Sequence, residues 1–223
     1  MWIDTGDPNR TGTQLSLADV ELPPAVGDGF ARLYGSDDRP ETAAEWVADV
    51  RATIERTRDR SPSVDDLCTV DDGDHAFVGP DGEQTYICVL DPLVYPFLTG
   101  ESGTVRSTTP VRGTEVTFEM DPDEPTVSHG DALVSIGVSD DVDDHDEMSV
   151  EAVYQEVCGY IQTFEDGEEY EAWADEVEAS TTAVPADEGV AIARGLADAL
   201  FDANPAAGGG GETGDCCPDS SCC

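Results

Sequence analysis

Hydrophobic and polar positions along the 223-residue chain alternate between two periods. From Asp38 onward, Ala43, Trp46, Val47, Val50 and Ile54 recur at helical spacing behind Pro40 and end in an Arg-rich turn at residues 56–60, which predicts an amphipathic helix. Its Trp and Val stripe reads as core packing, and its late arginines complement the negative helix end. Past Ser61-Pro62-Ser63 the period shortens. Residues 76–78, a turn at Gly79-Pro80-Asp81-Gly82 and residues 85–90 predict a hairpin. Asp91-Pro92 then has the form of an N-cap followed by proline at the first helical position, opening a helix that stops at Gly100. Further strands are expected at 104–107, 115–119 and 133–138, then an acidic connector at 138–147 and a short helix or extended lead at 149–157. An apolar run at 160–164 precedes packing helices at 168–177 and 189–201. Residues 1–37, rich in Gly, Asp and Pro, predict an irregular arm.

These elements predict an α+β fold, a mixed or antiparallel sheet flanked by helices, with an N-terminal helical arm and a flexible Cys-rich tail. The expected organisation is an arm and helix over 1–62, a core over 63–203, and a Gly-rich linker with a Cys-rich metal-binding tail over 204–223.

Charge narrows the function. The chain carries 50 acidic and 10 basic residues, all the latter Arg, for a formal net charge of −40. Such a surface disfavours nucleic acid. The acids are spread over the whole chain, which fits a solvated surface adapted to multimolar salt, where the Debye length shrinks to about 3 Å. No stretch of about 18 apolar residues is present, and the first 20 residues lack a basic start and an apolar signal core, so no membrane partner and a cytoplasmic location are expected. Seven cysteines, an odd number in a reducing compartment, favour thiols that bind metal or do chemistry over a disulfide framework.

The thiols fall into two groups. Cys68, Cys88 and Cys158 are scattered through the body, whereas Cys216, Cys217, Cys222 and Cys223 crowd the last eight residues as CCPDSSCC. Cys88 and Asp91, three apart where a strand gives way to a helix, can converge on one ligand. Cys158 precedes the apolar run at 160–164. The terminal pairs, beyond a Pro, Ala and Gly linker over 204–214, can offer a soft ion up to four thiolates. That linker has an r.m.s. reach on the order of 17 to 20 Å. Cys68 is expected to pack as a small hydrophobe. His75 and His129, in polar turns containing Asp or Gly, are expected to be solvated.

CVLDPLVYPFLTG, then TVRSTTPVRGTEVTFEM, then VCGYIQTFEDGEEYEAWADE resemble the organomercurial (alkylmercury) lyases over roughly residues 76–201. Cys88, Asp91, Pro96, Gly100, Cys158, Phe164, Trp173 and Ala174 fit that family's motif positions. The resemblance implies protonolysis of carbon–mercury bonds to a hydrocarbon and mercuric ion, for mercury detoxification. Cys88 and Cys158 would be the catalytic thiolates that hold mercury, and Asp91 the proton shuttle. Soft thiolates match a soft electrophile. It implies no bound cofactor, low-molecular-weight thiols to remove the product, and a mercuric reductase as acceptor. The family's longer N-terminal region, which resembles a winged helix, is not matched: residues 1–62 predict one helix. The alternative is a non-catalytic carrier of mercury, copper or zinc on the same fold. A thiol–disulfide oxidoreductase fits less well, because no CxxC motif is present.

Overall fold

The computed structural model describes residues 16–121, 124–142 and 150–201. Within the span expected to be irregular, α1 (Pro24–Tyr34) forms, with proline in its first turn and Gly35 closing it at φ 62°. Val26, Phe30 and Leu33 lie on its buried face. Gly27 and Gly29 weaken the helical signal in the sequence, yet they are what let the helix sit down. A Cβ on Gly29 would lie 2.3 Å from Val138 Cγ1, and one on Gly27 would lie 2.5 Å from the Pro40 carbonyl oxygen.

The next helix, α2 (Ala43–Arg58), starts with a reciprocal cap in which Thr42 Oγ1 accepts from Glu45 N–H and the Glu45 carboxylate accepts from Thr42 N–H. It buries Trp46, Val47 and Ile54, and Trp46 stacks on Phe30 at 5.1 Å between ring centroids.

Six antiparallel strands follow: β1 (Thr69–Val70), β2 (His75–Gly79), β3 (Gly82–Tyr86), β4 (Gly103–Thr108), β5 (Glu115–Met120) and β6 (Thr126–Val127), in the order β1-β3-β2-β4-β5-β6. Between β3 and β4 lies α3 (Leu90–Thr99), terminated by Gly100 at φ 75°. A second antiparallel sheet has β7 (Leu133–Ser139) at its centre, flanked by β8 (Thr163–Phe164) and β9 (Ala179–Pro185). All seven residues of β7 are buried. Helices α4 (Val150–Val157), α5 (Gly167–Ala174) and α6 (Ala186–Leu200) complete the chain.

The architecture is α+β. One apolar cluster joins α1, α2, α3, the larger sheet, β7 and α6, so Phe30, Trp46, Leu93, Phe118, Ile136 and Ile192 share a core. A satellite cluster seats Phe164 and Tyr170 with Trp173 against Leu133 and Ala183. No helix among the described residues is long and apolar enough to cross a membrane.

Candidate functional site

Backbone pairing continues past the end of β3. Thr69 is opposite Tyr86 in the β1–β3 ladder, and Ile87 N–H donates to the Cys68 carbonyl at 3.2 Å. Cys68 and Cys88 are thereby held on neighbouring strand ends. Val89 N–H donates to the Ile161 carbonyl at 3.2 Å, tying the turn that carries Cys158 to the same place.

That turn, a 3-10 segment over Cys158–Tyr160, is strapped to β7 by Ser135. Ser135 Oγ donates to the Tyr160 carbonyl at 2.9 Å and accepts from Gln162 N–H at 2.9 Å, while Ser135 N–H donates to the Gln162 carbonyl at 2.9 Å. Only glycine fits opposite: a Cβ on Gly137 would lie 2.9 Å from Tyr160 Cβ and 2.8 Å from Thr181 Cγ2.

Behind the turn stands His75, expected from sequence to be a solvated turn residue but found fully buried at the start of β2. Its Nε2 meets Gln162 Oε1 at 3.0 Å and its Nδ1 meets Ser107 Oγ at 2.7 Å, and Gln162 Nε2 donates to the Gly159 carbonyl at 3.2 Å. With the amide donating through its nitrogen, Nε2 of the neutral ring carries the proton and Nδ1 accepts. Burial holds the His75 pKa down at about 4.

At the centre the three body thiols meet. All are free and buried, with exposures of 2% for Cys88, 4% for Cys68 and 7% for Cys158. The Cys158 thiol neighbours both Cys68 and Cys88 within one buried cluster, and the Cys88 thiol neighbours the Asp91 carboxylate. Asp91 is not the helix cap its sequence predicts. Val89 occupies the cap position with no side-chain hydrogen bond, and Asp91 Oδ2 accepts Cys68 N–H at 2.8 Å. The site therefore includes Cys68, which the sequence marked only as a core residue. What placed it there is the β1–β3 register, which spacing along the chain does not reveal.

Electrostatics follow from burial and crowding. Contacts with Cys68 and Cys88, then burial, push the Cys158 thiol well above the ordinary range. For Cys88 the contact with Cys158 pulls down, but burial and the Asp91 charge outweigh it and the thiol is raised. Asp91 keeps part of its surface open, yet protein packs densely around its carboxylate. Burial raises its pKa to about 6 against the hydrogen bonds from Cys68 N–H and the Cys88 thiol. Two tyrosines sense the same centre. Burial raises Tyr154 with further contributions from Asp91, Cys158 and Cys68, and its hydroxyl donates to the Asp66 carbonyl. Tyr34, also raised by burial, feels Cys158. Its hydroxyl and Trp46 Nε1 are buried without a hydrogen bond of good geometry among the described residues.

Cys88, Asp91 and Cys158, scattered over 71 positions of sequence, thus converge. Cys216, Cys217, Cys222 and Cys223 lie outside the described residues. Among the described residues no three or more His, Cys, Asp or Glu side chains are arranged to hold one metal ion together.

A search of curated proteins found no match. Among solved structures, the crystal structure of the mercury-bound form of MerB2 is similar at 12% identity, with a TM-score of 0.43, over 57% of this chain and 59% of that one. The chain therefore spans under two thirds of that protein's length. The family model of alkylmercury lyase, MerB, matches residues 72–198, more than half of the sequence and the whole stretch from the β2 hairpin to α6. The chain belongs to the alkylmercury lyase family.

Proposed function

We propose that this protein cleaves carbon–mercury bonds by protonolysis, with Cys88 and Cys158 as the mercury-binding thiols and Asp91 as the proton carrier, in the service of mercury detoxification. The observation that carries this reading is that Cys158, Cys88 and Asp91 are neighbours in one buried centre. An organomercurial arriving as its thiol adduct exchanges first. One cysteine sulfur bonds mercury and its proton leaves with the displaced thiol. The second cysteine then bonds mercury as its proton passes to a carboxylate. Cys88 is the thiol in contact with Asp91, so its proton is the one transferred. Two sulfurs on mercury weaken its bond to carbon. Asp91 returns the proton to that carbon, the bonding pair goes with the carbon, and the hydrocarbon departs. Mercuric ion remains on Cys88 and Cys158.

The scheme calls on no resident cofactor; the mercury is substrate and product. External low-molecular-weight thiols, or a mercuric reductase, would take the ion away. Incubation with phenylmercury or methylmercury and excess thiol in high salt should release benzene or methane. Binding without hydrocarbon would instead favour a two-coordinate soft-metal carrier.

A further inference from the structure

Cys68 is the body thiol that this scheme leaves idle, although it is as well placed as the two it uses. Its carbonyl accepts from Ile87 N–H, its N–H donates to Asp91 Oδ2 at 2.8 Å, and its side chain, 4% exposed, lies in the same buried cluster as Cys88 and Cys158. Cys158 neighbours Cys88 as well. Cys158 thus has a thiol on either side, Cys68 and Cys88, as partners of the same buried centre. Packing alone gives a buried cysteine no reason to have a thiol neighbour and a backbone bond to the carboxylate beside it.

We propose that Cys68 is a third mercury-binding residue, which takes the mercuric product from the Cys88–Cys158 pair onto a Cys158–Cys68 pair. This rests on the reading of Cys88 and Cys158 as the mercury site. The step is a ligand exchange without redox change. The bond from mercury to Cys68 sulfur forms, the bond to Cys88 sulfur breaks, the bond to Cys158 persists, and the Cys68 proton ends on the Cys88 sulfur. Associative exchange needs only the approach of the incoming sulfur, and Cys68 is already against the shared one. The consequence is that Cys88 and Asp91 regain their starting protonation while the product still occupies the protein.

The test uses the full chain with Cys216, Cys217, Cys222 and Cys223 changed to Ser, so that only body thiols bind, and mercuric ion alone as the probe. Retention through gel filtration in millimolar monothiol is measured, along with the ultraviolet band of a mercury dithiolate. If the shared pair exists, Cys88→Ser keeps one mercury per chain and the dithiolate band. Cys88→Ser/Cys68→Ser retains at least about tenfold less, because the tethered second sulfur competes at an effective concentration that free thiol does not match. Cys158→Ser, which removes the shared sulfur, loses retention too. Alanine at position 88 replaces serine if that variant does not fold. Equal retention by Cys88→Ser and the double variant overturns the proposal, as does full retention by Cys158→Ser. Benzene release from phenylmercury by the intact chain is scored separately. Benzene with equal retention defeats the relay alone, whereas no benzene defeats the parent reading.

Discussion

His75 makes the fold sensitive to mild acid in a way that can be worked out. The unfolded ring titrates near 6.5, and burial on β2 lowers its folded value to about 4. Between those values the unfolded chain binds more protons than the folded one, so stability is fully present above about 6.5 and is lost as pH falls toward the folded value. The gap of two to three pH units corresponds to about 3 kcal/mol in all. About 2 kcal/mol of it is already gone at pH 5. Since whole domains are stable by only about 5–15 kcal/mol, that is a large share.

Fifty acidic residues also titrate in acid, so the wild-type curve alone would not isolate the ring. The comparison to make is between wild type and His75→Gln by urea unfolding in multimolar salt, from pH 7.5 to 4.5. At pH 7.5 the variant should be less stable by about 1–3 kcal/mol, the usual cost of disturbing a packed, hydrogen-bonded site. Below pH 5.5 the deficit should shrink or reverse by about 2 kcal/mol, because glutamine has no proton to gain. A difference that stays constant across the range would refute the reasoning, since the buried ring would then not be held neutral against its titration.

The remaining predictions concern charge, packing and chemistry. With a formal charge of −40 and no lysine, the melting temperature should fall as salt is lowered from the molar range, and a salt-independent value would remove the expectation of a salt-adapted surface. Gly29→Ala should destabilise by about 1–2 kcal/mol net, overpacking against Val138 costing about 2–3 kcal/mol at so close an approach and helix propensity returning ~1 kcal/mol; a neutral or stabilising result in thermal unfolding would show that α1 can lift from β7 at little cost. Cys88→Ser or Cys158→Ser should abolish hydrocarbon release, and Asp91→Asn should bind mercury yet cleave on the order of 10²–10⁴ more slowly; near-wild-type turnover in either cysteine variant under excess thiol would contradict the two-thiol assignment. Replacing Cys216, Cys217, Cys222 and Cys223 with Ser should leave the first turnover intact but slow mercury release when external thiol is scarce, and unchanged release would separate the tail from the reaction.

Much of the fold was legible because its signals were local. The Trp46 stripe, the stop at Gly100 and the runs at 104–107, 115–119 and 133–138 each announce themselves within a few residues and reappear in α2, α3, β4, β5 and β7. What stayed hidden depended on partners far away. Helix α1 looked irregular because its glycines serve the approach to Pro40 and Val138 rather than helix propensity. Strand β9 carries Ser180, Thr181 and Thr182, so its apolar signal is weak, and its pairing along the whole of β7 supplies the reason it forms. His75 sits among aspartates and a glycine in sequence and is buried only because Ser107 and Gln162 come to meet it. Cys68 joins the site through the ladder that sets Thr69 opposite Tyr86, a register that no spacing along the chain encodes.

Asp91 shows how a shift in one helix start changes the available chemistry. In sequence, Asp91-Pro92 reads as a cap, and a capping carboxylate is held as the anion by helix N–H groups, which suits it poorly to give a proton back. In the fold the helix begins at Leu90 with Val89 as its cap, and Pro92 falls in the first turn, where a missing N–H leaves no helical bond unmade. Asp91 is thereby released from capping, accepts Cys68 N–H instead, and is packed round by protein until its pKa rises to about 6. At neutral pH such a group is mostly the anion, the state in which the proposed mechanism has it take the Cys88 proton. Once protonated it is an acid with a pKa about one unit from the working pH, the range in which a proton can be both accepted and returned. An N-capping aspartate would sit well below that range. The proton shuttle that the family resemblance implies therefore depends on the carboxylate having been drawn away from the helix end and into the cluster of thiols.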